Sequence, residues 1–142
     1  LAYALRNDPR VILHERTGVM DIRGFLPEAH FATADLSFRS IRGAASHLIS
    51  QTIDHKLVAL IKPQFEWRNP PSSFDGVLRD SKVLRGILFS LAEALRGEGA
   101  YIADFTPSPI PGRKGNREFF FLLQDNEGLS EEELMRQVEE VL

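Results

Sequence analysis

Leu57-Val58-Ala59-Leu60-Ile61 is the feature that most limits what this chain can become. Five consecutive apolar residues without polar alternation suit a central strand covered on both faces, although a buried helical segment reads the same way. Pro63 ends the run, since proline removes a ladder donor. Two shorter runs of strand character, Val11 to Leu13 and Phe31 to Ala34, precede it. Between the second and third, Ile41, Ala44, Ala45, Leu48 and Ile49 recur at helical spacing, which predicts a crossover helix over Ser40 to Ser50, with Gly43 weakening its first turn.

Downstream, Val83, Leu84, Ile87, Leu88, Leu91, Ala92 and Leu95 form one apolar stripe, so Ser81 to Arg96 reads as a helix with Gly97 at its C-terminal cap. Tyr101 to Thr106 and Glu118 to Leu123 read as strands. The Pro- and Gly-rich segment from Pro107 to Asn116 is too short for a helical crossover, so this pair is expected to be antiparallel. A last helix begins at Ser130, where Ser130 and Glu133 have the spacing of a capping box. Strands alternating with helices imply right-handed crossovers. The predicted class is therefore α/β, a mostly parallel sheet with an antiparallel strand pair near the C-terminus. The long irregular stretch from Pro63 to Asp80 reads as a functional loop.

The chain has 142 residues, 43% hydrophobic and 26% charged, which fits one soluble globular domain. It lacks cysteine, which excludes disulfides, thiolate zinc sites and cysteine nucleophiles and suits a reducing, cytoplasmic setting. No apolar run approaches the roughly 20 residues that cross a bilayer, so no membrane role is expected. The four histidines lack zinc-ligand spacing, and no metal is expected. A GxSxG elbow and a P-loop are both absent. Charge is uneven: residues 1–125 carry 16 basic and 14 acidic groups, and residues 126–142 carry one and six. Thirteen of the basic residues are arginine, which is compatible with a polyanionic partner without requiring one.

In open α/β sheets ligands bind beyond the carboxyl ends of the strands. Asp35 follows Phe31 to Ala34, and Lys62 follows Leu57 to Ile61. Glu118 opens a strand of opposite direction, so all three charges are expected at one rim. An unremarkable reading stands beside this one: a turn-capping Asp35, a solvated Lys62 and an exposed Glu118. Arg68, Arg79, Arg113, Lys114 and Arg117 lie in the surrounding loops, either as contacts to the phosphates of a polyanionic partner or as ordinary solvated surface. Trp67 and Phe65 would stack a base or pack the loop down.

Four segments in one order carry a resemblance. They are Asp35-Leu36-Ser37-Phe38-Arg39-Ser40, Leu60-Ile61-Lys62-Pro63-Gln64-Phe65-Glu66, Gly76-Val77-Leu78-Arg79-Asp80, and Thr106 to Ile110 continuing through Gly115-Asn116-Arg117-Glu118-Phe119. With Leu1 to Val11 and Glu15-Arg16-Thr17, they resemble the TlyA family of haemolysin-labelled, FtsJ-like ribosomal RNA methyltransferases across residues 1 to 125.

The resemblance implies a Rossmann-like, S-adenosylmethionine-dependent 2′-O-methyltransferase acting on ribosomal RNA or a ribosomal subunit, not on DNA. It assigns Asp35, Lys62 and Glu118 to a Lys, Asp, Lys, Glu tetrad, with Lys62 deprotonating the ribose 2′-hydroxyl, and it points to Glu15 and Asp35 for cofactor contact. The first tetrad lysine, the glycine-rich cofactor turn and the RNA-binding S4 domain have no counterpart in the chain. The expectation is an incomplete methyltransferase domain, with residues 1–125 as core and 126–142 as an acidic C-terminal helix, inactive alone. The sequence departs from the family at Gly18, where Asn is common, and at Trp67 to Pro71, where glycines are common. A non-catalytic RNA-binding remnant and a membrane-active haemolysin are the alternatives.

Overall fold

The computed structural model of the chain describes residues 1–142. Four strands form one sheet: β1 (Ala32–Asp35), β2 (Lys56–Ile61), β3 (Tyr101–Pro107) and β4 (Phe119–Gln124). The helices are α1 (Tyr3–Arg6), α2 (Ala45–Ser50), α3 (Pro63–Glu66), α4 (Ser81–Gly97) and α5 (Glu131–Val141). Strand order is β1-β2-β4-β3. β1 pairs parallel with β2, and β4 lies antiparallel between β2 and β3. Three strands therefore point one way and only β4 opposes them.

Register follows from burial. Leu57, Ala59 and Ile61 alternate as buried residues along β2, as do Phe119, Phe121 and Leu123 along β4, and the ladder pairs Leu57 with Leu123, Ala59 with Phe121 and Ile61 with Phe119. Directly paired residues share a face, so one side of the sheet is fully apolar and closed. Ile41, Ala45, Leu48 and Ile49 around α2, Leu84, Leu88, Leu91 and Leu95 of α4, and Leu134 and Val138 of α5 join it in one core. The opposite face carries Thr33, Asp35, Val58, Leu60, Phe120 and Leu122, all outside the buried set. The non-alternating sequence of β2 thus reflects two apolar faces of which the structure covers one.

Several expectations need correction. Val11 to Leu13 forms no strand: no neighbouring chain offers it a ladder, and Ile12 and Leu13 are exposed. The crossover helix starts at Ala45 rather than Ser40, because Gly43 sits at φ 74°, outside right-handed helical geometry, with its N–H bonded to the Glu98 carboxylate at 2.7 Å. Pro63 opens one helical turn, α3, inside the stretch read as irregular. Gly97 belongs to α4, and Gly99 at φ 78° supplies the left-handed turn after the helix. Asp80 caps the other end of α4 by accepting from the Lys82 and Val83 amides.

The capping box of α5 forms as the spacing predicts. Ser130 Oγ accepts from Glu133 N–H, and the Ser130 amide donates back to the Glu133 carboxylate at 2.9 Å. The amide bond, and then the hydroxyl bond, holds the Glu133 carboxyl below its ordinary value. A depressed carboxyl stabilises the fold above its unfolded pKa, and this contribution fades as pH falls through the folded value. Ser130→Ala is expected to cost about 1 kcal/mol at neutral pH in urea unfolding. The gap from wild type should narrow once Glu133 is protonated.

Candidate active site

Two strand ends and one strand start build the site. Parallel register sets Asp35 beside Leu60, so the chain leaving β2 two residues later passes over the end of β1. There Lys62, the N-cap residue of α3, turns its amine onto Asp35: Nζ lies 2.5 Å from Asp35 Oδ1 and 3.2 Å from Ser37 Oγ. The Lys62 side chain is 13% exposed and that of Asp35 64%, so a sequestered amine meets a carboxylate open to whatever occupies the rim.

Glu118 is the buried member. It stands one step beyond the last ladder pair, Ile61 with Phe119, and so falls beside Lys62 on the neighbouring strand. Its carbonyl accepts from the Ser108 amide at 2.8 Å, while its carboxyl packs on Gly112, where any Cβ would overlap it. Asp35 is the carboxylate within ion-pair reach of Lys62, and Glu118 forms no ion pair. The structure thus joins two of the three predicted charges by contact and sets the third alongside through the sheet.

Beside this cluster a cleft of about 410 Å³ is lined by Phe38, Gln64, Phe65, Phe74, Arg113, Lys114 and others. Phe38 is 86% exposed at φ 59° and lies 5.4 Å from the Phe65 ring, centroid to centroid. An exposed aromatic held in a left-handed backbone is a costly arrangement for a residue with no task. Nothing in Ser37-Phe38-Arg39 marks Phe38 out, because neither exposure nor backbone sign is visible in sequence. Trp67 packs edge-on against Phe74, with centroids 5.0 Å apart, and holds its loop down.

The floor of this region depends on Asn116, which is buried. Its side chain accepts from the Leu78 amide at 2.9 Å and donates to the Gly76 carbonyl at 2.8 Å, tying the segment before α4 to the β3–β4 connection. The other predicted residues separate. Arg113 and Lys114 line the cleft, and Lys114 Nζ reaches the Asp75 carbonyl at 3.3 Å. Arg79 is forked onto Asp75, whose carboxyl falls to about 2, first through the Arg79 hydrogen bond and then through the Val77 amide. Arg117 donates to the Val141 and Leu142 carbonyls at the end of α5. Arg68 lines a separate cleft between the α3 segment and α4. Glu15 is exposed and held by Arg6 at 2.5 Å, a bond that lowers its carboxyl.

Comparison with known proteins decides the family. The model of the FtsJ-like methyltransferases matches residues 1–125. The chain belongs to the FtsJ-like methyltransferase family. It is 35% identical over 130 residues to the 16S/23S rRNA (cytidine-2′-O)-methyltransferase TlyA of Mycobacterium tuberculosis, covering 87% of this chain and 47% of that protein. With Hemolysin A of Brachyspira hyodysenteriae it shares 33% over 123 residues, 84% of this chain and 51% of the other. A solved structure of a hemolysin-labelled protein from Streptococcus thermophilus superposes with a TM-score of 0.86 at 26% identity, covering 99% of this chain and 53% of that one. This FtsJ-like chain therefore spans about half the length of the curated relatives it matches. No helix is long and apolar enough to cross a membrane.

Asn116→Ala leaves the partly buried Leu78 amide and Gly76 carbonyl without their side-chain partner. It is expected to destabilise the chain by roughly 2 kcal/mol in urea unfolding. Limited proteolysis should then cut faster between residues 67 and 80.

Proposed function

We propose that this chain carries the proton-handling and substrate-facing part of an S-adenosylmethionine-dependent ribosomal RNA ribose 2′-O-methyltransferase. The observation that carries this reading is the Lys62–Asp35 contact, made where two parallel strands end and beside a cleft of aromatic and cationic side chains. A ribose hydroxyl is a weak acid, and alkylating it requires a base held within hydrogen-bond reach and a fixed line of approach. Lys62 Nζ in its neutral form accepts that proton, and Asp35 with Ser37 fixes where the nitrogen points. Glu118, one strand over and walled by Gly112, gives the site a second acid, this one buried, that orders donors entering from the rim.

The cofactor supplies an electrophilic methyl group on a sulfonium. Its fit is supported by an apolar groove of about 440 Å³ that follows β1 and ends on Asp35, with Val19, Ile22, Phe25 and Leu36 among its lining. Both size and lining suit the adenosyl half of such a molecule. Asp35 is the charged group there that would face it, with Thr33 the other polar residue of the lining, whereas Glu15 is already taken by Arg6.

For the RNA, Phe38 offers an open ring for stacking a base withdrawn from its helix, and Arg113 and Lys114 offer charge to the flanking phosphates. Arg79 and Arg117 have intramolecular partners and contribute to the loops instead. The relatives named as rRNA methyltransferases support ribosomal RNA as the substrate class.

The test uses the polypeptide as its gene encodes it, with radiolabelled cofactor and ribosomal RNA or subunits. Methyl transfer to a ribose 2′-oxygen is expected. Lys62→Met should lower its rate by about 10²-fold or more while the calorimetric heat of cofactor binding is retained. Phe38→Ala should raise the KM for RNA about tenfold, in line with the loss of one stacked base. RNA binding with neither cofactor heat nor methylation would instead identify a non-catalytic RNA-binding protein.

A further inference from the structure

A buried ion pair lies behind the site and touches none of the reacting groups. Glu66 closes α3, four residues after Lys62, and its side chain is 3% exposed. Oε1 accepts from the Ile41 amide at 2.8 Å, and Oε2 accepts from Ser40 Oγ and from Arg42 Nη1, the latter at 3.0 Å. Arg42 Nη1 also donates to the Glu66 carbonyl at 2.9 Å, and its side chain is 8% exposed. Every donor to this carboxylate comes from residues 40–42, in the segment that leaves β1 through Asp35 and Ser37.

Two loops are therefore joined twice. At the front, Lys62 of the β2 exit meets Asp35 and Ser37 of the β1 exit; at the back, Glu66 of the β2 exit meets Ser40, Ile41 and Arg42 of the β1 exit. The contacts close a ring whose only covalent sides are short stretches of backbone. The rear of the ring is in turn tied to α4, through Arg42 Nη2 to Ser90 Oγ at 3.5 Å and the Gly43 amide to Glu98 at 2.7 Å.

Stability alone does not account for this pair. Desolvating two charges consumes most of what their attraction returns, and apolar residues of similar volume commonly do as well. Arg42 shows the cost: burial is the largest influence on its guanidinium and lowers its pKa, while Glu66 raises it, and Nε has no acceptor. What an apolar pair cannot supply is a directional link fixing the β2 exit against the β1 exit.

We propose that Glu66, with Arg42, is a positioning residue that sets the Lys62 amine against Asp35. The proposal rests on the methyltransferase reading only for its catalytic consequence. Without the rear contacts, α3 is free to rotate about Pro63, and Lys62 moves from the place that proton transfer needs.

The test variant is Arg42→Met/Glu66→Met, which removes both charges and keeps volume; it leaves the Ile41 amide without its acceptor, so its thermal midpoint should fall modestly below wild type while the chain stays folded. In this chain, ¹H–¹⁵N correlation of the lysine ammonium groups, with Lys62→Arg to assign the signal, reads the Lys62–Asp35 contact directly. The protected Lys62 signal of wild type is expected to vanish into solvent exchange in the double variant. In the protein as its gene encodes it, kcat for methyl transfer is expected to fall about 100-fold at unchanged KM for RNA, the scale of an ångström-sized misplacement. A folded double variant that keeps the Lys62 signal, or that keeps kcat, overturns the proposal. Should it unfold, Glu66→Gln, which retains an acceptor for the Ile41 amide, is read by the same two measurements. Absence of methyl transfer in wild type would reject the methyltransferase reading, and the ammonium signal would still decide the clamp.

Discussion

The parallel pairing of β1 with β2 is the constraint on which the site depends. Two strands that run the same way deliver their carboxyl ends to the same rim, and the register of Asp35 against Leu60 leaves room for Lys62 to bend back across the gap. An antiparallel pairing would have placed those residues at opposite ends of the sheet. The geometry is ordinary for open α/β sheets, in which backbone direction rather than local sequence collects polar side chains. β4 adds a third contribution because it runs the other way, so its beginning, not its end, meets this rim.

The register is enforced from the other side of the sheet. Slipping β4 by one residue would turn Phe119, Phe121 and Leu123 away from α2, α4 and α5 and expose three large apolar side chains. At about 25 cal/mol per Å² of apolar surface, such a slip is far more costly than any single polar contact at the rim returns. The core thus fixes the position of the candidate chemistry without touching it. The second face, with Val58, Leu60, Phe120 and Leu122 only partly covered, makes no comparable demand.

How legible each part was follows from how local its cause is. Helix α4 and the capping box of α5 were readable because an apolar stripe and a Ser130-to-Glu133 spacing act within a few residues. The antiparallel β3–β4 pair was readable because a short Pro- and Gly-containing connection leaves few other routes. Val11 to Leu13 misled because a strand needs a neighbour, and apolar content alone does not provide one. Gly97 misled for a related reason: two glycines stand near the end of α4, and only the fold selects Gly99 to take the left-handed turn. Among the candidate cations, Arg79 and Arg117 looked no different from Arg113 in sequence. Their partners, Asp75 and the last carbonyls of α5, come from chain placement.

By itself the sequence determined the alternation of strands and helices, the charges that follow the strands and the ordered motifs that resemble one family, since all of these are written in neighbouring residues. The tertiary structure alone decided that Lys62 contacts Asp35 rather than Glu118, that Phe38 stands open beside them, and that Glu66 is sealed against Ser40, Ile41 and Arg42. Those relations join residues about 25 positions apart, and distance along a chain carries no information about distance in space until strand direction and register have been set.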